Sequence, residues 1–267
     1  MDHAVILAFI LTLLAGLATG LGGIIAVVAT RTNKSFFSFS LGLSAGVMIY
    51  VSFVELFKEA EIILGEHLGE KQGLILTVLC FFLGMLLVGL IDKLVPSHEN
   101  PHEIRTVEDM NRTPSKNGKF MKMGILTALA VAIHNFPEGI ATFMAVIESP
   151  TLGVVIAVAI AIHNIPEGIA IAVPIYHATG DKKRALRLSF LSGFAEPLGA
   201  ALAYLFLAPF MSPMLLGCVF AIIAGIMVFI SFDELLPASR EYGEHHISIY
   251  GLITGMAIMA LSLILLI

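Results

Sequence analysis

Long apolar stretches separated by short polar segments make up most of this chain of 267 residues. An uninterrupted apolar run of about 18 residues or more can cross the hydrocarbon core of a bilayer as an α-helix. The pattern predicts eight such helices, near residues 4–29, 36–57, 73–95, 123–147, 151–177, 186–208, 212–237 and 247–267. We therefore expect an all-α polytopic membrane protein in which residues 1–267 form a single transmembrane domain.

The polar segments indicate how the helices are oriented. Segment 96–120 contains prolines, asparagines and a glycine, which predicts a flexible cytoplasmic loop between helices three and four. Thirteen Lys and Arg residues fall on the side of this loop, whereas the opposite side receives only Lys58 and Lys71. Because cytoplasmic loops carry the excess of positive charge, both termini are expected outside the cytoplasm.

Composition narrows the class of protein. Hydrophobic residues make up 58% of the chain and charged residues only 13%, which is typical of membrane proteins and excludes a large soluble domain. We expect the lipid bilayer as a partner and no nucleic acid. Cys80 and Cys218 each fall within a predicted helix, and the pattern favours two isolated packing residues.

Internal repeats indicate how the helices are arranged. Ala45–Phe57 and Ala224–Leu236 share seven of thirteen residues, and Ala18–Gly22 resembles Ala195–Gly199. Helices one to three thus correspond to helices six to eight, and five membrane crossings separate equivalent helices, so the triplets run in opposite directions. The predicted organisation is a 3+2+3 inverted repeat, a recurrent design of transporters that work by alternating access.

A second repeat carries the candidate chemistry. Ala130–Ala141 (AVAIHNFPEGIA) and Ala159–Ala170 (AIAIHNIPEGIA) match at ten of twelve positions, and each inserts His, Asn and Glu into an apolar helix. A carboxylate in hydrocarbon costs about 3 kcal/mol, so a duplicated cluster requires a compensating partner such as a metal ion. With a further carboxylate in helix six, the candidate metal ligands are His134, Asn135, Glu138, His163, Asn164, Glu167 and Glu196.

These donors indicate which ions would bind. Imidazole nitrogens, amide oxygens and three carboxylates suit borderline divalent ions such as zinc, iron, cobalt and manganese.

Glu55, Asp233 and Glu234 lie near the predicted ends of helices two and seven, where they either mark the membrane interface or line a transport path. His98 and His102 in the polar loop are either simply solvated or capture released metal.

The motifs HNFPEG, HNIPEG and GFAEP in helices four to six resemble those of the ZIP family of divalent metal transporters. The resemblance covers essentially the whole chain. It implies uptake of zinc, and also of iron, manganese, cobalt and cadmium, across the inner (plasma) membrane into the cytoplasm. It also implies a homodimer in which helices one, four, five and six slide against the other four.

The resemblance further implies a binuclear metal site. One ion would be held by His134, Glu138 and Glu167, with His163 close by. The second ion would be held by Asn135, Glu138, Asn164, Glu167 and Glu196, so that the two glutamates of the repeated motif bridge the ions.

Two other functional classes remain open. A metal-selective channel would use the same ligands, but conduction requires sites that ions leave quickly. An intramembrane metal-dependent hydrolase would also need buried His and Glu, but the chain has no HExxH motif. We therefore expect a transporter without enzymatic activity and without a catalytic cofactor.

Overall fold

Helices account for the fold in the computed structural model, which describes residues 3–28, 34–94, 116–210, 212–242 and 245–266. No strand occurs in these ranges. The predicted all-α class is confirmed, and each predicted helix has a counterpart in the described residues. The helices are α1 (His3–Val28), α2 (34–68), α3 (Glu70–Leu94), α4 (Lys116–Glu148), α5 (Pro150–Thr179), α6 (182–210), α7 (213–242) and α8 (His245–Leu266).

Three of these helices change their winding along their length. Helix α2 consists of Lys34–Val51, a π-helical turn and Phe57–Leu68, and α7 consists of Pro213–Ile230, a π-helical turn and Leu236–Tyr242. Helix α6 is built from Lys182–Gly193, Ala195–Leu202, a π-helical turn at Ala203–Leu207 and a 3₁₀ turn at Ala208–Phe210. The π-helical turns of α2 and α7 span Ser52–Leu56 and Ser231–Leu235.

Several helix ends follow directly from local sequence. Ser149 and Ser212 each precede a proline, and their side-chain oxygens accept hydrogen bonds from the backbone N–H groups of Leu152 and Leu215. This is the usual way in which serine caps a helix that has proline at its first position. Gly69, with φ of 87°, separates α2 from α3 by a single residue, in a backbone conformation that favours glycine.

Some predicted boundaries were wrong. Helix α2 was expected to end near residue 57 but continues to Leu68, because the buried face of its last turns packs against α3 and α7. Residues 116–120, predicted as loop, form the first residues of α4. The rest of the predicted loop, and with it His98 and His102, lies outside the described residues.

Seven described helices are long and apolar enough to span a membrane by length and composition. Helix α4 is not among these seven, although its 33 residues exceed the roughly 20 that a spanning helix needs. The chain is therefore a multi-pass membrane protein.

The helices pack in two groups. In the first, α1, α4, α5 and α6 lie against one another, and in the second, α2 and α3 pack against α7 and α2 also packs along α8. The groups meet where α2 lies against α5 and α7 lies against α4. Ser44 on α2 donates a hydrogen bond to the carbonyl of His163 on α5, at 3.4 Å across this boundary.

Glycines mediate close contacts between several helices. A Cβ on Gly16 would collide with the carbonyl of Gly193, so α1 and α6 cross with their backbones in contact. On α2, Gly42 and Gly46 lie against backbone carbonyls of α8. Small residues are what allow helices in a membrane to approach this closely.

The two cysteines were wrongly predicted to be isolated. Cys80 on α3 lies within hydrogen-bonding distance of the thiol of Cys218 on α7. Both are free thiols. Their proximity follows from the packing of α3 against α7, which the apolar pattern of the two helices does not specify.

A buried serine cluster joins α2, α7 and α8. Ser38 donates to the carbonyl of Ser239 at 2.5 Å, and the hydroxyls of Ser239 and Ser248 are hydrogen-bonded to each other. All three side chains are buried. In a membrane such hydrogen bonds substitute for the hydrophobic force that joins helices in water.

We expect Ser248→Ala to destabilise the protein by about 1 kcal/mol, because it removes the buried hydrogen bond to Ser239, whose hydroxyl keeps only its bond to the carbonyl of Leu236. The measurement is thermal denaturation in detergent, followed by far-ultraviolet circular dichroism. Ser262→Ala on the same helix is the control, because that half-buried hydroxyl bonds only within α8, to Met259. Equal effects of the two substitutions would contradict the role of the cluster.

Candidate metal centre

The duplicated motif places its polar side chains in the interior of the first helix group. His134, Asn135 and Glu138 on α4 are at most 4% exposed. Both helices continue through the prolines of the motif, Pro137 and Pro166. Since proline has no N–H, each leaves one carbonyl of the preceding turn without its usual helical partner.

Helix α5 contributes the second copy, and the two copies pair across the α4–α5 contact. His163 Nε2 donates to Glu138 Oε1 at 3.1 Å. In the reciprocal pair, His134 Nε2 lies 3.2 Å from Glu167 Oε1, at ion-pair distance but without the angle of a hydrogen bond. The histidine of each helix thus faces the glutamate of the other, so one motif copy alone would leave both unpartnered.

Helix α6 brings the third carboxylate to the same interior. Glu196 is fully buried, and its Oε1 accepts a hydrogen bond from the side-chain amide of Asn164. The same amide nitrogen donates to the backbone carbonyl of Ala15 on α1 at 2.9 Å. Asn164 therefore connects α5 to both α1 and α6. The structure brings all the predicted ligands into the interior of the first helix group.

Many polar atoms of this interior have no hydrogen-bond partner. The set includes the second carboxylate oxygens of Glu138, Glu167 and Glu196, the side-chain oxygens of Asn135 and Asn164, and His163 Nδ1. Buried polar atoms without partners are rare in folded proteins, and a bound ion or water is a common explanation. The unpartnered atoms are mostly oxygen acceptors and two imidazole nitrogens, which is the donor chemistry of a divalent metal site.

The side chains are arranged as pairs. In the described part of the chain, no three His, Cys, Asp or Glu side chains are grouped as they would be around a metal ion. The His–Glu contacts of 3.1 and 3.2 Å are made directly between would-be ligands. A metal ion that binds these four side chains would therefore have to replace the direct His–Glu contacts.

The glycine of each motif sets the distance to a neighbouring helix. A Cβ on Gly139 of α4 would collide with the carbonyl of Glu196 on α6. A Cβ on Gly168 of α5 would collide in the same way with the carbonyl of Thr19 on α1. Gly139 thus fixes how close the Glu196 carboxylate lies to α4.

The neighbouring helices return these contacts with glycines of their own. Gly199 on α6 lies against the carbonyl of Phe136 on α4, and Gly22 on α1 lies against the carbonyl of Ile165 on α5. Phe136 and Ile165 occupy the same position in the two motif copies. The α4–α6 and α5–α1 crossings are therefore built from equivalent residues.

Three further acidic residues lie elsewhere than expected. Glu55, Asp233 and Glu234 were predicted near helix ends, but they lie in the π-helical turns within α2 and α7. Glu234 is close enough to His134 for a Coulombic interaction, so α7 brings a carboxylate toward the polar interior. Isolated π-helical turns are frequent at functional sites.

Sequence reasoning missed two buried hydroxyls in the first helix group. Thr19 on α1 and Thr142 on α4 are fully buried, and neither hydroxyl has a hydrogen-bond partner. Thr142 follows Glu138 by one helical turn. A signal for Thr19 was present, because the internal repeat aligns it with Glu196.

The fold and this interior define a class of protein: a polytopic membrane protein whose central helices bury carboxylates, imidazoles and amides together. The sequence profile of the ZIP zinc transporter family matches residues 92–263. The chain belongs to the ZIP family.

Full-length relatives support the same assignment. The chain is 61% identical to a protein of Oceanobacillus iheyensis and 60% identical to one of Lysinibacillus sphaericus, over 100% of both chains in each case. It is 57% identical to a protein of Streptococcus mutans, with 99% of both chains covered. Each of these three relatives is named zinc transporter ZupT, the name of a transporter and not of a hydrolase.

Proposed function

We propose that this protein transports zinc across the membrane through the polar interior of α4, α5 and α6. The observation that carries the proposal is the reciprocal pairing of His134 with Glu167 and of His163 with Glu138, in which the remaining carboxylate oxygens have no partner. Relatives over the full length of the chain are named zinc transporters.

The proposed binding site holds two ions. His134, Glu138 and Glu167, with His163 nearby, bind the first ion. The second ion is bound by Asn135, Glu138, Asn164, Glu167 and Glu196. Of the two shared glutamates, Glu138 has one carboxylate oxygen without a hydrogen-bond partner and Glu167 has two, which supports binding of ions by both carboxylates.

The proposed substrates include iron, manganese, cobalt and cadmium ions besides zinc. The ligand set contains no thiolate and combines imidazole with carboxylate and amide oxygens. Several divalent transition metals bind to this combination of ligands. These ions act as transported substrates, and we propose no catalytic cofactor and no enzymatic activity.

The proposed mechanism is alternating access in a 3+2+3 inverted repeat that forms a single domain with eight membrane spans. The equivalent glycine contacts of α4–α6 and α5–α1 support the repeat, and so do the π-helical turns at matching positions of α2 and α7. The first helix group, α1 with α4–α6, would move against the second and carry the ions with it.

The proposed direction is into the cytoplasm, across the inner membrane, with both termini outside. In that orientation Glu59 and Glu148 lie at the outer end of α2 and α4, close enough to interact electrostatically, with Glu66 also nearby. An acidic rim of this kind raises the local concentration of cations. The resemblance to the family supports a homodimer as the functional unit.

The test is zinc uptake into liposomes that contain the purified protein and an enclosed zinc-sensitive dye. We expect uptake that saturates with external zinc, at a rate far below that of a channel. Uptake that rises linearly with zinc at channel-like rates would favour the metal-selective channel. Absence of uptake by correctly folded protein, with and without a pH gradient, would overturn the proposal.

A further inference from the structure

Thr19 on α1 occupies the position that Glu196 occupies on α6. Where α1 and α6 cross, Gly16 lies against the Cβ of Glu196, and Gly193 lies against the Cβ of Thr19. Gly16 and Gly193 also lie against each other's carbonyls. The crossing is therefore symmetric, with Thr19 and Glu196 as equivalent residues.

The same equivalence extends to the helices that carry the motif. Glu196 lies with its backbone against Gly139 of α4, whereas its side chain accepts a hydrogen bond from Asn164 of α5. Thr19 lies with its backbone against Gly168 of α5. Asn135 of α4 and Asn164 of α5 occupy the same position in the two motif copies, so Asn135 is the residue equivalent to the partner of Glu196.

The hydrogen bond between the equivalent side chains forms in one half of the inverted repeat and is missing in the other half. Glu196 and Asn164 are bonded, but Thr19 Oγ1 and both polar atoms of the Asn135 side chain have no partner. Both residues are fully buried. A threonine side chain is shorter than a glutamate by the Cγ and Cδ atoms, so Thr19 cannot reach as far as Glu196 does.

We propose that Thr19 and Asn135 bind a water molecule at the place that the Glu196 carboxylate takes in the other half, and that this water is a ligand of the transported ion. The inference rests on the proposed zinc function. The water accepts a hydrogen bond from Asn135 Nδ2, donates one to Thr19 Oγ1 and binds the ion through its remaining lone pair. Asn135 Oδ1 stays free to bind the ion directly. Buried waters typically make about three such contacts.

This assignment gives the two halves of the binding site different chemistry. One half binds the ion through a carboxylate, and the other retains a water from the hydration shell. A carboxylate in both halves would add a further negative charge and slow the release of the ion.

The experiment compares Thr19→Val, Thr19→Ser and Thr19→Glu with the wild type. Zinc affinity is measured by competition with a chelating dye, and the zinc X-ray absorption spectrum reports the number of oxygen and nitrogen neighbours. Thermal stability without metal is measured for every variant. We expect Thr19→Val to bind zinc about tenfold more weakly, with one light-atom neighbour fewer.

The other variants separate the water from a packing role. Valine has the shape of threonine, and removing an unpartnered buried hydroxyl leaves the metal-free protein at least as stable. Thr19→Ser keeps the hydroxyl, so it should retain wild-type affinity and coordination. Thr19→Glu places a carboxylate where the water was, so it should bind zinc more tightly than the wild type.

The outcomes distinguish this inference from the proposed function. Wild-type affinity and coordination in Thr19→Val would overturn the water ligand alone. Absence of zinc binding to the wild type would overturn the proposed function, and the water ligand with it. Weaker binding in Thr19→Val together with an equal loss of metal-free stability would assign Thr19 to packing and overturn the inference.

Discussion

We expect replacement of Glu138 by Gln to weaken zinc binding by about 100-fold or more and to abolish zinc uptake into liposomes. The substitution keeps the size of the side chain but removes the charge that faces His163 at 3.1 Å. It also removes the second carboxylate oxygen, which has no partner within the protein and which we assign to both ions. The measurements are zinc affinity by chelator competition and uptake by the enclosed dye.

The matched control for this prediction is Glu70→Gln. Glu70 is exposed at the start of α3, so the same chemical change there should leave zinc affinity and uptake at the wild-type level. Circular dichroism and thermal denaturation establish that both variants are folded. Wild-type zinc affinity in folded Glu138→Gln would show that the duplicated motif is not the binding site.

Much of this fold could be predicted because membrane helices are specified by local sequence. In hydrocarbon every backbone polar group must be satisfied within the segment, so an apolar run of sufficient length has essentially one solution. Local sequence also specifies two helix starts, because the serine side chain of Ser149–Pro150 and of Ser212–Pro213 caps the helix that follows. The positions of the eight helices follow from these rules.

The ends of α2 and the π-helical turns could not be predicted in this way. Residues 58–68 of α2 are too polar to be recognised as part of a spanning run, yet they stay helical because their buried face, including Ala60, Ile63 and Leu64, packs against α3 and α7. A π-helical turn depends on tertiary packing more than on composition. Glu55 was therefore assigned to a helix end.

The candidate site was predicted more completely than the packing around it. His134 and Glu138 lie four residues apart, so helical geometry alone places them on one face. The pairing of His134 with Glu167 of α5, and of Asn164 with Glu196 of α6, depends on which helices touch. Neither the symmetric α1–α6 crossing nor the contact between Cys80 and Cys218 could be derived from helical periodicity.

Replacing Gly139 by Ala is expected to lower both stability and zinc affinity. The added Cβ would collide with the backbone carbonyl of Glu196, and a backbone atom cannot rotate away as a flexible side chain can. Overpacking of this kind costs about 1–3 kcal/mol. Because α6 must move away from α4 to relieve the collision, the Glu196 carboxylate would move with it. The second ion that we propose would then lose a correctly placed ligand.

Gly65→Ala on α2 is the control, because the nearest atom to its added Cβ, the Cα of Glu70, is 4.0 Å away. Alanine is the better helix former by about 1 kcal/mol, so this variant should be as stable as the wild type or more so, with unchanged zinc affinity. Thermal denaturation in detergent and chelator competition are measured for both variants. Gly168→Ala should behave like Gly139→Ala, since it forces α5 from the carbonyl of Thr19. If both glycine variants bound zinc as the wild type does, close backbone contact would not be what positions the ligands of this site.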